Sequence, residues 1–404
     1  PGLEGSPAPA EPMTEDTIFD MASLTKPLAT ATAVMQLYEK GQVAFDDPVQ
    51  LYLPGFNTAN DPQRAKVTVR MLLTHTSGET GDVDLKDPWG LDEADKIEGL
   101  HRAQTTPLES GPGERFRYSD INFILLGALI ENVTGETEDV YVAQHVFAPL
   151  GMAETRYLAA AKVCGRYAVR GAAIAWAPTP EVGACSAGMW NTDLLSRIAP
   201  TARDEEGRAD PTKNPDLDYL LRGTVHDTTA RRMGGVAGHA GVFSTAHDVS
   251  IYAQALLDRL AGRPSEFPLK QETLELMTTP QQSGHTPDQL QAANNATREA
   301  VATKPNTADP LLAPHYPAIA GQNLRGFGWD IDTRLSTPRG VVFPIGSFGH
   351  TGFTGTTLWV DPGSDTYVVL LSNSIHVRGS PPIQELRGDV ATAAARALRL
   401  YGSG

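Results

Sequence analysis

The chain has 404 residues, 41% hydrophobic and 20% charged, ordinary usage for a globular protein and enough length to bury the core of one large or two modest domains. A formal charge of −15 at pH 7 argues against nonspecific nucleic-acid binding and against docking on an anionic lipid surface. No apolar run approaches the length needed to span a bilayer.

Residues 1–15 read as a linker-like segment. Their opening, Pro1-Gly2-Leu3-Glu4-Gly5-Ser6-Pro7, has neither the basic region nor the apolar core of a signal peptide. The next stretch, Asp20-Met21-Ala22-Ser23-Leu24-Thr25-Lys26-Pro27, places a hydroxyl and an amine one helical turn apart at the start of an apolar helix. Leu24, Leu28, Ala31, Val34, Met35, Leu37 and Tyr38 keep helical period, Gly41 is a plausible C-cap, and Pro27 fits only near a helix start. A serine there has backbone N–H groups and the positive end of the helix dipole beside it, which suits a reaction that develops charge on oxygen. The bland alternative makes Ser23 an N-cap and Lys26 a solvated first-turn residue.

Residues 42–78 form a connector with Asp46-Asp47-Pro48 and Tyr52-Leu53-Pro54-Gly55-Phe56, followed by Leu72-Leu73-Thr74-His75-Thr76-Ser77-Gly78. His75, between threonines at a helix end, reads as a structural hydrogen-bonder rather than a catalytic base. Turn-rich Gly111-Pro112-Gly113 leads into Tyr118-Ser119-Asp120, so the tyrosine belongs on a loop, and Ile121 to Ile130 form a buried helix ending near Gly135. From 151 to 230 the chain is irregular and is expected to drape over the helical part. Cys164 and Cys185 lie in this stretch without the spacing of a zinc site, either bridged or as free thiols. His226, Asp227 and His239 read as site-lining or structural residues rather than metal ligands, because nothing supplies regular ligand spacing. A glycine-rich turn at 234–241 feeds a helix at Val249–Leu260.

Residues 281–323 are a polar excursion. Strands are expected at Val341–Phe343, Thr356–Val360 and Thr366–Leu371, the last two forming a hairpin, and a helix at about Ile383–Leu400. His350-Thr351-Gly352-Phe353 should start an edge strand facing Ser23.

Taken together, Ser23-x-x-Lys26, Tyr118-Ser119-Asp120 and His350-Thr351-Gly352, in that order, resemble the three motifs of the serine β-lactamase and penicillin-binding-protein superfamily. The likeness extends from Asp16 onward and is nearest to the class C β-lactamase-like serine hydrolases, with their low-molecular-weight penicillin-binding proteins, D-aminopeptidases and esterases. It implies an α/β fold of α+β type: an antiparallel sheet flanked by helices beside a mainly helical part, with the site in the cleft between them. Residues 16–404 would then be one serine hydrolase domain, helical over roughly 46–280, its sheet drawn mainly from 325–404.

The resemblance implies acyl transfer through a serine ester with no metal and no organic cofactor. Ser23 would be the nucleophile, Lys26 and Tyr118 would share its proton, with Lys26 lowering the tyrosine pKa, and the Ser23 and Phe353 N–H groups would form the oxyanion hole. Asp120, His350, Thr351 and Gly352 would contact substrate. Two positions depart from the family pattern. Asp120 stands for an asparagine and His350 for a lysine, and both changes weaken recognition of a substrate carboxylate. An ester or a D-amino-acid peptide is therefore expected ahead of a β-lactam, with D,D-carboxypeptidase or β-lactamase action as the alternative if Asp120 instead holds His350 or Lys26 protonated and carboxylate binding survives. A catalytically silent peptidoglycan-binding module is a reading of another class, disfavoured by the intact Ser23, Lys26 and Tyr118. Partners implied are a small ester, a peptide or a peptidoglycan fragment. Export, as for similar proteins, would bridge Cys164 to Cys185. Only 22 residues precede Ser23, where similar proteins carry a helix and strands, so an upstream segment is expected.

Overall fold

The helical run that follows Ser23 changes pitch twice. A tight turn at Ala22–Leu24 passes into wide turns over Lys26–Ala31 and then into α1, Thr32–Glu39. Pro27 explains the widening, since it interrupts the N–H ladder there. Its carbonyl is taken instead by the Thr32 hydroxyl at 2.8 Å and the Tyr252 hydroxyl at 3.2 Å. Gly41, at φ 68°, ends the run as expected. The computed structural model describes residues 11–170, 173–183, 185–206, 217–286 and 323–402, together with positions 210, 212, 214, 288, 292 and 295.

Three helices besides α1 position the site. The first, α2, spans Asp120–Thr134, is buried from Ile121 to Ile130, and ends at Gly135 with φ 74°. An all-round apolar helix belongs in a core, and α2 lies in the main one. Next comes α3, Ala246–Leu260, begun by a Thr245 side-chain cap on the Asp248 N–H. Last is α4, Gln384–Ala397.

A short sheet joins β1 (Phe19–Asp20), β2 (Arg156–Tyr157) and β3 (Val242–Ser244) in the order β1-β3-β2, all antiparallel. It fixes the segment leading to Ser23. The larger sheet has five antiparallel strands: β4 (Leu324–Arg325), β5 (Asp330–Asp332), β6 (Phe348–Thr351), β7 (Thr357–Asp361) and β8 (Thr366–Leu370), ordered β8-β7-β6-β5-β4. Strand alternation gives this sheet two buried faces. Leu358 and Val360 join the main core with Leu256 and Leu257 of α3, whereas Trp359 packs with Ala391 and Ala395 of α4.

Three expectations need correction. Val341–Phe343 is a turn: the Val341 N–H goes to Thr392 Oγ1, and Phe343 is pulled under Trp359 and Ala391, so packing on α4 overrides β propensity. The strand carrying His350 is the central one of its sheet, not an edge, because two very short strands, β4 and β5, add to its other side. Only Gly349 pairs with β5, which leaves the His350–Thr351 side of β6 open toward Ser23. The stretch from 151 to 230 is more ordered than its composition suggests. Val163–Arg170 and Ala173–Gly183 form a hairpin, Ala202–Arg203 pairs with Leu220–Leu221, and Cys164 is bridged to Cys185 across 5.3 Å between Cα atoms. Most of the polar excursion at 281–323, and the first ten residues of the linker-like start, lie outside the described residues.

Candidate active site

Ser23, Tyr118, His226, His350, Phe353 and Arg387 are among the residues lining a cleft of about 1050 Å³ between the helical part and the larger sheet. Lys26 lies beneath it with 0% of its surface exposed, which removes the solvated first-turn alternative. Its ammonium donates to Ser23 Oγ at 2.9 Å, to Asp120 Oδ1 at 2.6 Å and to the His239 carbonyl at 3.1 Å. Burial alone would pull the Lys26 pKa down. The Asp120 carboxylate, and after it Tyr118, more than reverse that pull, and Lys26 stays charged beyond the usual lysine range.

Tyr118 sits on the loop before α2, its ring stacked on His75 at 4.5 Å and facing Lys26 Nζ at 4.9 Å from the ring centre. Burial is the main influence on its phenol and raises the pKa. Lys26 and Ser23 draw it down, yet with Asp120 adding to the rise the net direction is upward. The lowering by Lys26 expected from sequence is present but is outweighed by burial, with Asp120 adding to the rise. His75 is structural: its Nδ1 accepts the Ser119 N–H at 3.2 Å, and burial holds the ring well below its ordinary pKa.

Asp120 is also placed differently from the expectation. Rather than repelling substrate from the cleft wall, its carboxylate is neutralised by Lys26, at the N-terminus of α2 where the dipole favours an anion. His350 is buried on β6. Its Nδ1–H donates to the Thr351 carbonyl at 2.8 Å, and since a carbonyl can only accept, the neutral ring is left with Nε2 as an acceptor. Burial first, then Arg325 and Lys26, hold His350 well below its ordinary pKa. The hydrogen-bond donor expected from a neutral His350 is thus already used.

The Ser23 segment and the turn after β6 are bolted together. The Thr354 hydroxyl donates to the Asp20 carbonyl at 2.8 Å and the Thr356 hydroxyl to the Met21 carbonyl at 3.0 Å. Gly352 is required between them, because a Cβ there would lie 2.4 Å from the Met21 oxygen. Ala22 holds a positive φ of 47°, a strained conformation for a residue with a side chain. The Asp20 carboxylate stabilises it, accepting the Ala22 N–H at 2.8 Å and the His226 N–H at 2.7 Å. Burial lifts the Asp20 pKa to about 6 against those two bonds. The Ser23 and Phe353 N–H groups are consequently held on opposite sides of one short bridge, and the Phe353 N–H has no protein acceptor among the described residues.

His226 lines the cleft with its ring stacked on Phe353 at 5.7 Å, while Phe353 itself is 72% exposed at the mouth. Asp227 and His239 lie behind the site as a pair, Nε2 to Oδ1 2.7 Å, with Asp227 also capping a short helix through the Ala230 N–H. Among the cleft residues that the sequence did not single out are Arg325 and Arg387. Arg387 did carry a signal, since it shares the buried stripe of α4 with Ala391 and Ala395, where an arginine is out of place.

This architecture matches a family already known. The model of the Beta-lactamase family matches residues 5–388, and the chain belongs to that family. It is a serine hydrolase of the β-lactamase and penicillin-binding-protein type. A putative D-alanyl-D-alanine carboxypeptidase of Escherichia coli (strain K12) is 29% identical over 374 residues, 90% of this chain and 70% of that relative. An N-acetylmuramyl-L-alanine amidase of Bacillus subtilis (strain 168) is 28% identical over 89% of this chain and 68% of its own length. Among solved structures, the LovD6 mutant of simvastatin synthase from Aspergillus terreus superposes with a TM-score of 0.59 at 22% identity, covering 97% of this chain and 83% of its own. An octameric penicillin-binding protein homologue from Pyrococcus abyssi gives 0.56 at 20% identity, covering 96% and 68%. At these identities the structural likeness is one of fold.

Proposed function

We propose that the cleft cleaves esters or D-amino-acid peptides through an acyl-enzyme on Ser23, and that β-lactams are poor substrates. The observation that carries this reading is the buried Lys26 ammonium held between Ser23 Oγ and Asp120 Oδ1. Attack of Oγ on a carbonyl carbon forms the ester bond and sends the serine proton to Lys26 as Lys26 passes one to Asp120. Collapse of the tetrahedral adduct breaks the bond to the leaving oxygen or nitrogen, which takes its proton from Tyr118, a neutral phenol beside both groups. Tyr118 is reprotonated by the proton held on the Lys26–Asp120 pair. The oxyanion is received by the Ser23 and Phe353 N–H groups.

Substrate preference follows from His350. A neutral imidazole offering an acceptor nitrogen repels a carboxylate where a lysine would bind one. A second reading, D,D-carboxypeptidase action, rests on Arg325, a buried cleft-lining guanidinium that already pairs with Asp330 at 3.2 Å and would have to turn part of its charge to a substrate carboxylate that His350 cannot meet. The names of the bacterial relatives, a carboxypeptidase and an amidase, suit a substrate derived from peptidoglycan, and the Cys164–Cys185 bridge suits an extracytoplasmic site of action. No helix among the described residues is long and apolar enough to cross a membrane.

The test is kcat/KM for a short-chain p-nitrophenyl ester, a D-alanyl-D-alanine peptide and nitrocefin, with fluorophosphonate labelling read by intact mass. Ester or peptide should exceed nitrocefin, and Ser23→Ala should abolish the label. Full ester hydrolysis by Ser23→Ala would remove the nucleophile assignment, and nitrocefin turnover above that of the ester would reverse the ranking.

A further inference from the structure

We infer that Arg387, on the helix behind the sheet, is a positioning residue that strengthens the oxyanion hole through the peptide group joining Gly352 to Phe353. Its guanidinium Nη2 donates to the Gly352 carbonyl at 2.6 Å and to the Thr356 carbonyl at 3.3 Å. The Gly352 carbonyl and the Phe353 N–H are the two ends of a single peptide unit. A cation bonded to that oxygen draws electron density toward it and leaves the N–H at the other end a stronger donor, the ordinary cooperativity of chained hydrogen bonds. The Gly355 N–H adds a second bond to the same oxygen at 3.1 Å, so both donors polarise the peptide in one direction.

Two features separate this arrangement from routine packing. Arg387 is buried on the cleft wall, and no carboxylate pairs with it among the described residues, so its charge is not cancelled locally. Burial lowers its pKa to about 10, which still leaves it charged at neutral pH. A buried unpaired cation is costly for a fold to retain and is best compensated by negative charge appearing nearby. Attack by Ser23 creates that charge on the substrate carbonyl oxygen, one peptide unit from the guanidinium. The ground-state carbonyl carries much less, so the interaction grows on the way to the transition state.

The inference rests on the reading of Ser23 and Phe353 given above, and its test keeps the two apart. Arg387→Lys, Arg387→Gln and Arg387→Met would be compared for p-nitrophenyl acetate hydrolysis, inhibition by phenylboronic acid and melting temperature. The boronate forms a tetrahedral adduct with serine and reports on the oxyanion hole without turnover. Removing the charge in the Gln and Met variants should lower kcat roughly tenfold, with KM within about twofold, and weaken boronate inhibition by a similar factor. Arg387→Lys should recover most of the loss. If the Met variant does not fold, the Gln and Lys variants carry the comparison. Folded Gln and Lys variants with unchanged kcat and boronate affinity would overturn the inference, as would losses in the Gln variant that Lys does not rescue. A wild-type protein that neither hydrolyses the ester nor takes a serine label would instead overturn the reading beneath it.

Discussion

Lys26 Nζ and Asp120 Oδ1 lie 2.6 Å apart, and the lysine end of that pair has no exposed surface. The pair carries no net charge, so it sits in the protein interior at far lower cost than the lysine alone. It also determines when Lys26 can accept a proton. With Asp120 ionised beside it, the lysine holds its own proton across the neutral range. Asp120→Asn removes the largest influence raising the Lys26 pKa and leaves burial, which lowers it, opposed only by Tyr118. The rise of kcat/KM with pH should then move to lower pH by about one unit or more. Ester hydrolysis followed from pH 5 to 10 measures this, and an unmoved profile would detach Asp120 from proton handling.

His350→Lys tests whether the family's lysine can simply be restored. The position is buried and already feels Arg325, Lys26 and Arg387, each pushing His350 toward its neutral form. A lysine there would add a cation to a cationic cluster without a new carboxylate. We expect Tm to fall by several degrees and nitrocefin turnover to stay below ester turnover. A stable variant with efficient nitrocefin turnover would show that the cluster is screened.

Buried carboxylates give the fold an unusual pH response. Glu138, hydrogen-bonded to Thr30 at 2.7 Å, has its pKa lifted to about 7, mainly by burial. The folded state therefore keeps a proton that the unfolded chain has lost, so the stability this group supplies is fully present below about pH 4.5 and is lost as pH rises through about 7. Asp82 and Glu79 shift in the same direction for the same first cause. Glu138→Gln should raise Tm by a few degrees at pH 8 and change it little at pH 4.5. Equal effects at both pH values, measured by scanning calorimetry, would show that Glu138 ionises without penalty.

The bridge between Cys164 and Cys185 closes a loop of sequence separation 21. Unreduced, denatured protein should show no reactive thiol, and reduction should expose two. Loop-closure entropy puts the accompanying loss of stability at about 3 kcal/mol. Two thiols before reduction would place the cysteines apart in the protein as isolated.

Ser23, Lys26 and Tyr118 were singled out by the resemblance of their motifs rather than by local spacing alone, and the fold brings the three together. The helices at Asp120–Thr134 and Ala246–Leu260 were legible because their spacing is local, and local spacing survives folding. What escaped depends on backbone geometry or on contacts that only the folded chain makes. The tautomer of His350 is set by the neighbouring Thr351 carbonyl, whose direction only the strand geometry fixes. Asp120 could be read from sequence either as a charge facing substrate or as a partner for His350 or Lys26, and the choice of Lys26 depends on a contact across 94 residues. The strands at Leu324–Arg325 and Asp330–Asp332 are too short to show alternation, so the central place of the His350 strand was hidden with them.

The threonine bolts between the Ser23 segment and the turn after His350 join positions 334 and 335 residues apart. Contacts of such separation are entropically costly to close early. The proposed oxyanion hole of Ser23 and Phe353 therefore cannot be assembled by either end of the chain alone. During refolding, helical signal should return before reactivity toward an active-serine label, and the appearance of that label marks the meeting of the two ends.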